Sequence, residues 1–349
     1  MIQRLLRGRA LYVALAVFIV CLYVQGIPFK HEPDLSQRAP SVQPASEPLD
    51  WWPSTLDAEA MKRVADRSPH LTLLLSVLSM LAGGLALGGI ALLLWALGTG
   101  RIRFLWRARP RRLPGWSFGE LARILLLILV VAGLMPFARF GLQTIFRLAP
   151  DANVVITVSM LVLDVFVILA ILAFARKKGR SVWRVFGCTA RKLPGALAVG
   201  LRGYTAVFPW LFVLLFAATE LTRRFGWKPP VEPIQQLIFQ EDRTGVLALT
   251  VILACVVGPV AEELFFRGVL YRAVRQRTSR VVAMLTSAAA FSLTHTNVIG
   301  FLPIWLLGCL LADLYERAGS LASPMAIHIL HNSLLMGVAL IVRELLARG

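Results

Sequence analysis

Ala254-Cys255-Val256-Val257-Gly258-Pro259-Val260-Ala261-Glu262-Glu263-Leu264-Phe265-Phe266-Arg267-Gly268 is an apolar run that closes on two adjacent carboxylates and an arginine. It belongs to residues 245–266, long enough to span a bilayer, which takes about 20 mostly apolar residues. Eight other stretches come near that length: 10–27, 71–98, 121–138, 153–175, 196–218, 281–296, 302–315 and 321–342. Composition agrees, since the 349 residues are 57% hydrophobic and 16% charged, with a mean hydropathy of +0.70. A soluble domain carries about 25% charged residues, so a soluble enzyme is excluded. The expected fold is all-α, a polytopic membrane helix bundle of about 8–9 transmembrane helices.

The net charge of +18 has to be placed before it can be interpreted. With the N-terminus inside, the inner segments 1–9, 100–120, 176–195, 267–280 and 316–320 hold 22 Lys and Arg against two acids. The outer segments 28–70, 139–152, 219–244, 297–301 and 343–349 hold 13 of each. That asymmetry predicts an integral membrane protein with a cytoplasmic N-terminus, in the plasma (inner) membrane if the source is bacterial. The basic runs then face an anionic lipid surface, and no nucleic-acid partner is expected. The four cysteines are widely spaced and form no C-x-x-C pair, which excludes a disulfide framework or a zinc knuckle.

Four regions follow. Residues 1–27 form an N-terminal transmembrane anchor, expected to stay uncleaved because no small-x-small site follows it. Residues 28–70 form an extracytoplasmic loop punctuated by Pro28, Pro33, Pro40, Pro44, Pro48 and Pro53, too polar to build its own core. Residues 71–240 carry further transmembrane helices, and 245–343 hold the chemistry-bearing core in the last four helices. No Walker A loop, G-x-G-x-x-G turn or internal repeat is present, which removes the common nucleotide-driven readings.

Charged side chains at the bilayer centre cost about 2.5–3.5 kcal/mol each on insertion scales, so the few in the spans need a reason. Asp164, Arg202 and Asp313 stand singly and read as structural pairs or buried acids. The C-terminal third is richer. Glu263 and Arg267, four apart, share a helix face and can pair, whereas Glu262 points about 100° away. Pro259 should kink the helix one turn earlier. Ser287, Phe291 and His295 recur every four residues. With a turn near Thr278–Ser279, an antiparallel hairpin brings His295 level with Glu262. On the last helix His328 and Asn332 are four apart, with His331 partly on their side. A carboxylate beside histidines suits general acid–base work, and His and Asn donors in a dry cavity suit an oxyanion. Convergence requires the Glu262 helix to continue past Arg267, and the apolar stripe Val269-Leu270-x-x-Ala273-Val274 supports this.

Glu262-Glu263-x-x-x-Arg267, Phe291-x-x-x-His295 and His328-x-x-x-Asn332, in this order, resemble the CAAX protease and bacteriocin-processing (CPBP) family of intramembrane glutamic endopeptidases. Pro259, Phe266-Arg267-Gly268, Ser320-Leu321 and Asn332-Ser333 agree with it, and the resemblance covers about 245–343. It implies peptide-bond hydrolysis of a membrane-associated protein or peptide. Glu262 and His295 would activate water, His328 and Asn332 would stabilise the oxyanion, and Glu263 and Arg267 would brace the helix. No cofactor is expected. Zinc held by His295, His328, His331 and a glutamate is the alternative, although His-Glu-x-x-His is absent and Asn332 is a poor zinc ligand. A non-catalytic scaffold or immunity protein of the same family, and a proton-coupled transporter using Glu262 and Asp164, are the remaining rivals.

Overall fold

A computed structural model describes residues 68–100, 115–145, 151–179, 181–226, 233–295 and 300–348. The expected anchor, nearly all of the Pro-rich loop, and the whole arginine-rich segment 101–114 lie outside the described residues. Within them the chain is helical, with no strand. The helices are α1 (Pro69–Gly98), α2 (Phe118–Thr144), α3 (Ala152–Arg176), α4 (Leu193–Phe225), α5 (Pro233–Gln240), α6 (Thr244–Arg275), α7 (Arg280–Leu293), α8 (Phe301–Ala318) and α9 (Ala322–Arg348). Eight of the nine apolar stretches thus become helices, and the first is not described. Among the described residues six helices are long and apolar enough to cross a membrane. Their outward faces carry large apolar side chains such as Leu87, Phe216 and Met80, each at least two-thirds exposed. That surface belongs in lipid. The protein is a polytopic integral membrane helix bundle.

Helix ends follow local chemistry. Ser117 and Glu120 form a reciprocal capping box at the start of α2, Asp151 caps α3, and Ser279 caps α7 at the expected turn. Gly319, at φ 59°, closes α8 in the left-handed conformation that glycine adopts without penalty. The loop before α4 presses on that turn: a Cβ at Gly187 would lie 2.0 Å from the Gly319 carbonyl oxygen. Phe186 accepts the amide hydrogen of Leu321 there at 3.0 Å, which fixes where α9 begins.

Helix α8 is the most deeply buried. From Leu307 to Tyr315 every residue of it is buried, so α8 forms the centre of the bundle. Asp313 pairs there with Arg280 and Arg317, as its buried position demands. Arg202, by contrast, is exposed on α4 and donates to its own helix at Ala198.

Helix α6 departs most from ideal geometry. It runs unbroken to Arg275, past the carboxylates, as the apolar stripe predicted. Two segments within it, Leu253–Val257 and Glu263–Tyr271, are π-helical. Pro259 explains the first. In the π turn the Gly258 amide bonds Leu253, five residues back, and Pro259 has no amide hydrogen to offer Ala254. The Ala254 carbonyl is therefore without a helical donor, and the Asn332 side-chain amide fills the place at 2.9 Å. Replacing Asn332 with leucine should leave that carbonyl unsatisfied, costing about 1–3 kcal/mol. Unfolding of the variant in detergent measures this, and an unchanged midpoint would contradict it.

One end of α3, α6 and α9 is tied by ion pairs. Arg243 bonds Glu241 at 2.7 Å and Asp151 at 2.6 Å, Asn153 donates to Glu241 at 3.0 Å, and Arg343 donates to the Glu241 carbonyl at 2.6 Å. Hydrogen bonding from Arg243 holds the Glu241 carboxyl down from its usual 4.5 to about 2, and holds that of Asp151 low too. Groups depressed in the folded state stabilise it above their unfolded values and lose that contribution as pH falls through the folded ones. Stability should therefore drop between pH 4.5 and about 2. An Arg243→Met variant should unfold at a lower temperature at neutral pH and lose less over that acid interval. Thermal unfolding as a function of pH checks both.

Candidate active site

Three elements deliver the motif residues to one place. Glu262 and Glu263 stand where the second π-helical segment of α6 begins. Glu263 and Arg267 are fully buried and paired, Arg267 Nη1 donating to Glu263 Oε1 at 2.7 Å. The spacing predicted this pair. Arg267 Nη2 also donates to the Gly308 carbonyl at 3.2 Å, and its guanidinium lies 4.5 Å from the centre of the Phe291 ring. α8 can come this close because Gly308 has no side chain: a Cβ there would meet Ala288 and Phe291 within 3.0–3.3 Å.

His328, from α9, is buried and donates from Nδ1 to Glu263 Oε1 at 3.0 Å. Since the acceptor is a carboxylate, Nδ1 carries the hydrogen, and in the neutral ring Nε2 keeps its lone pair. That Nε2 lies 3.6 Å from Glu262 Oε2, and the Glu262 side chain is 31% exposed. Glu263 thus orients the imidazole while Glu262 stays open at its far side. At 3.6 Å the two acceptors are too far apart for a direct hydrogen bond, and a water lying beside them can donate to both.

His295 follows the last turn of α7, and its Nδ1 donates to the Phe291 carbonyl at 3.1 Å. Here too the acceptor fixes the tautomer and leaves Nε2 bare. Phe291 is the hinge of the arrangement. Its ring contacts His295 at 5.0 Å and His328 at 5.5 Å between centroids. Ser287, one turn earlier, donates to the Phe266 carbonyl at 2.9 Å. The predicted Ser287–Phe291–His295 face is therefore the face turned to α6.

All six expected residues thus gather around α6, with two differences in detail. The histidine within reach of Glu262 is His328, although the hairpin register had suggested His295. Asn332 has one amide hydrogen committed to Ala254, so its second is the one left for a ligand. His331 turns away to α4, where Tyr204 Oη meets its Nδ1 at 2.9 Å. Among the described residues no three His, Cys, Asp or Glu side chains form a metal-ligand set. The residue pattern marks Phe291, one turn before His295, but not the part of the Ala254 and Gly308 carbonyls. Carbonyl roles leave no trace in side-chain identity, and only Pro259 hinted at one of them.

A carboxylate–histidine centre is thus braced by a buried Glu–Arg pair inside a membrane helix bundle. Residues 244–334 match the family model described as type II CAAX prenyl endopeptidase Rce1-like, so this segment is a domain of that CPBP-type family. A protein of Bacillus subtilis (strain 168), named "Putative membrane peptidase YdiL", is 28% identical over 92 residues, 26% of this chain. The match spans 38% of that relative's length. No solved structure matches the chain. The matched segment holds every one of the six site residues, and the helices before it are outside the match.

Proposed function

We propose that the protein is an intramembrane endopeptidase that hydrolyses a peptide bond of a membrane-associated protein or peptide, with Glu262 as the base. The observation that carries this is Glu262, partly open, 3.6 Å from Nε2 of a buried histidine whose other nitrogen is held by Glu263. Chemically, Glu262 takes a proton from water and the hydroxide oxygen bonds to the carbonyl carbon. The oxyanion is met by the free amide hydrogen of Asn332 and, once the His328 ring has taken a second proton from solvent, by its Nε2–H; both hydrogens are donated in hydrogen bonds and stay on their nitrogens. The carbon–nitrogen bond then breaks as the proton held by Glu262 passes to the departing amine. His295, with its bare Nε2, is the second proton acceptor of the site. Glu263 and Arg267 touch neither water nor substrate and brace the helix.

We further propose that the basic loops face the cytoplasm and its anionic lipids, and that hydrolysis needs no bound metal. The likeness of residues 244–334 to a peptidase family supports the reading. Quantitative N-terminal proteomics of cells making wild-type protein or Glu262→Gln tests it. New peptide termini should appear only with wild type, and they identify the substrate. Identical sets of termini would refute a protease. Stoichiometric zinc in purified protein, with activity lost in strong chelator, would replace the glutamate mechanism by the zinc alternative.

A further inference from the structure

Asp164 sits in the middle of α3, outside the segment that matches the family model. A carboxylate is costly at that depth, yet no hydrogen bond or ion pair among the described residues reaches it. Its place is set by how α3 packs on α6. The two helices run parallel and are pinned at matched positions. Asn153 bonds Glu241 at 3.0 Å, and Thr157 bonds Thr250 at 3.2 Å. Next in that register come Asp164 and Gly258. Gly258 lacks a side chain, and a Cβ there would lie 3.5 Å from Asp164 Oδ2. The Asp164 carboxylate therefore rests against bare backbone, and because Gly258–Glu262 is a regular α-helical turn, Glu262 stands one turn further along the same face. The basic side chain nearest the site is already engaged, since Arg267 bonds Glu263 and Gly308. Asp164 thus reaches the site from α3, whereas His328 reaches Glu262 from α9.

Two half-buried carboxylates that repel one another and have no cation between them are held most simply by a molecule that donates to both. We propose that Asp164 is the second carboxylate of the site, accepting one hydrogen of the attacking water while Glu262 accepts the other. This rests on the protease reading above. The balance is unchanged: Glu262 takes the proton, the oxygen adds to the peptide carbon, and the proton leaves with the amine. Asp164 only orients the water and ends each cycle as it began.

The test uses purified full-length wild type, Asp164→Asn, Asp164→Glu, Glu262→Gln and the Asp164→Asn/Glu262→Gln double variant. The probe is a synthetic peptide spanning the cleavage site that terminal proteomics identifies. Asp164→Asn should lower kcat about 10–100-fold, the scale of a misplaced reactant, and change KM by no more than about twofold. Its unfolding temperature should not fall, because a repelling charge has gone. Asp164→Glu should recover part of kcat. The double variant should be no slower than Glu262→Gln, since both residues act on one water. Wild-type kcat in Asp164→Asn, or activity lost only in step with a lower unfolding temperature, overturns the proposal while leaving Glu262 as base. Full activity of Glu262→Gln, or no cleavage by wild type, overturns the protease reading and this inference with it.

Discussion

Replacing Arg267 with methionine should destabilise the bundle by about 3–5 kcal/mol, the usual cost of stripping one partner from a buried ion pair. Both side chains of the pair are fully buried and 2.7 Å apart, so no water can take over the lost contact. The change also removes the bond to the Gly308 carbonyl and the cation above Phe291, loosening the contacts of α6 with α8 and α7 together. Glu263 would be left with His328 as its one donor. Removing the charge that remains should undo much of the loss. A Glu263→Gln/Arg267→Met variant should therefore be more stable than Arg267→Met alone, because replacing both members of a buried pair is often near neutral. Denaturant titration in detergent measures the three proteins, and Arg267→Met unfolding at the wild-type midpoint would contradict the bracing role.

The largest effect on activity is expected from Glu262→Gln. Glutamine keeps the size and hydrogen-bonding capacity of the side chain but cannot accept a proton, and a positioned base is worth about 10²–10⁴-fold in rate. Glu262 has no buried ion pair to lose; its side chain is 31% exposed and the ring of His328 lies 3.6 Å away. Folding should therefore survive the change. That separates it from Glu263, whose substitution acts through the fold. Adjacent glutamates thus carry opposite predictions: one loses rate with stability intact, the other loses stability first.

Much of this could be read from residue spacing. Glu263 and Arg267 pair as their separation requires, and the Ser287–Phe291–His295 face meets α6. The stripe from Val269 to Val274 continues the helix to Arg275, letting residues from α7 and α9 converge. Spacing could not tell which histidine meets Glu262. Two π-helical segments change the angle per residue on either side of the carboxylates, and ideal α-helical arithmetic does not hold across them. The bond from Asn332 to the Ala254 carbonyl depends on the same distortion: without the π turn at Pro259, that carbonyl would have had a helical partner. Asp164 was visible as a costly residue in mid-span. Its neighbour was not, because the parallel register of α3 on α6 is set by contacts almost a hundred residues apart in sequence, such as Thr157 with Thr250.

The central claim is that Glu262 is the base of a membrane peptidase. The most direct measurement is single-turnover cleavage of the identified peptide by wild-type and Glu262→Gln protein in the same detergent, each first shown to unfold at the same temperature. Wild type should cut the peptide, and the variant should cut it about 10²–10⁴-fold more slowly. Cleavage at the wild-type rate by folded Glu262→Gln would contradict it.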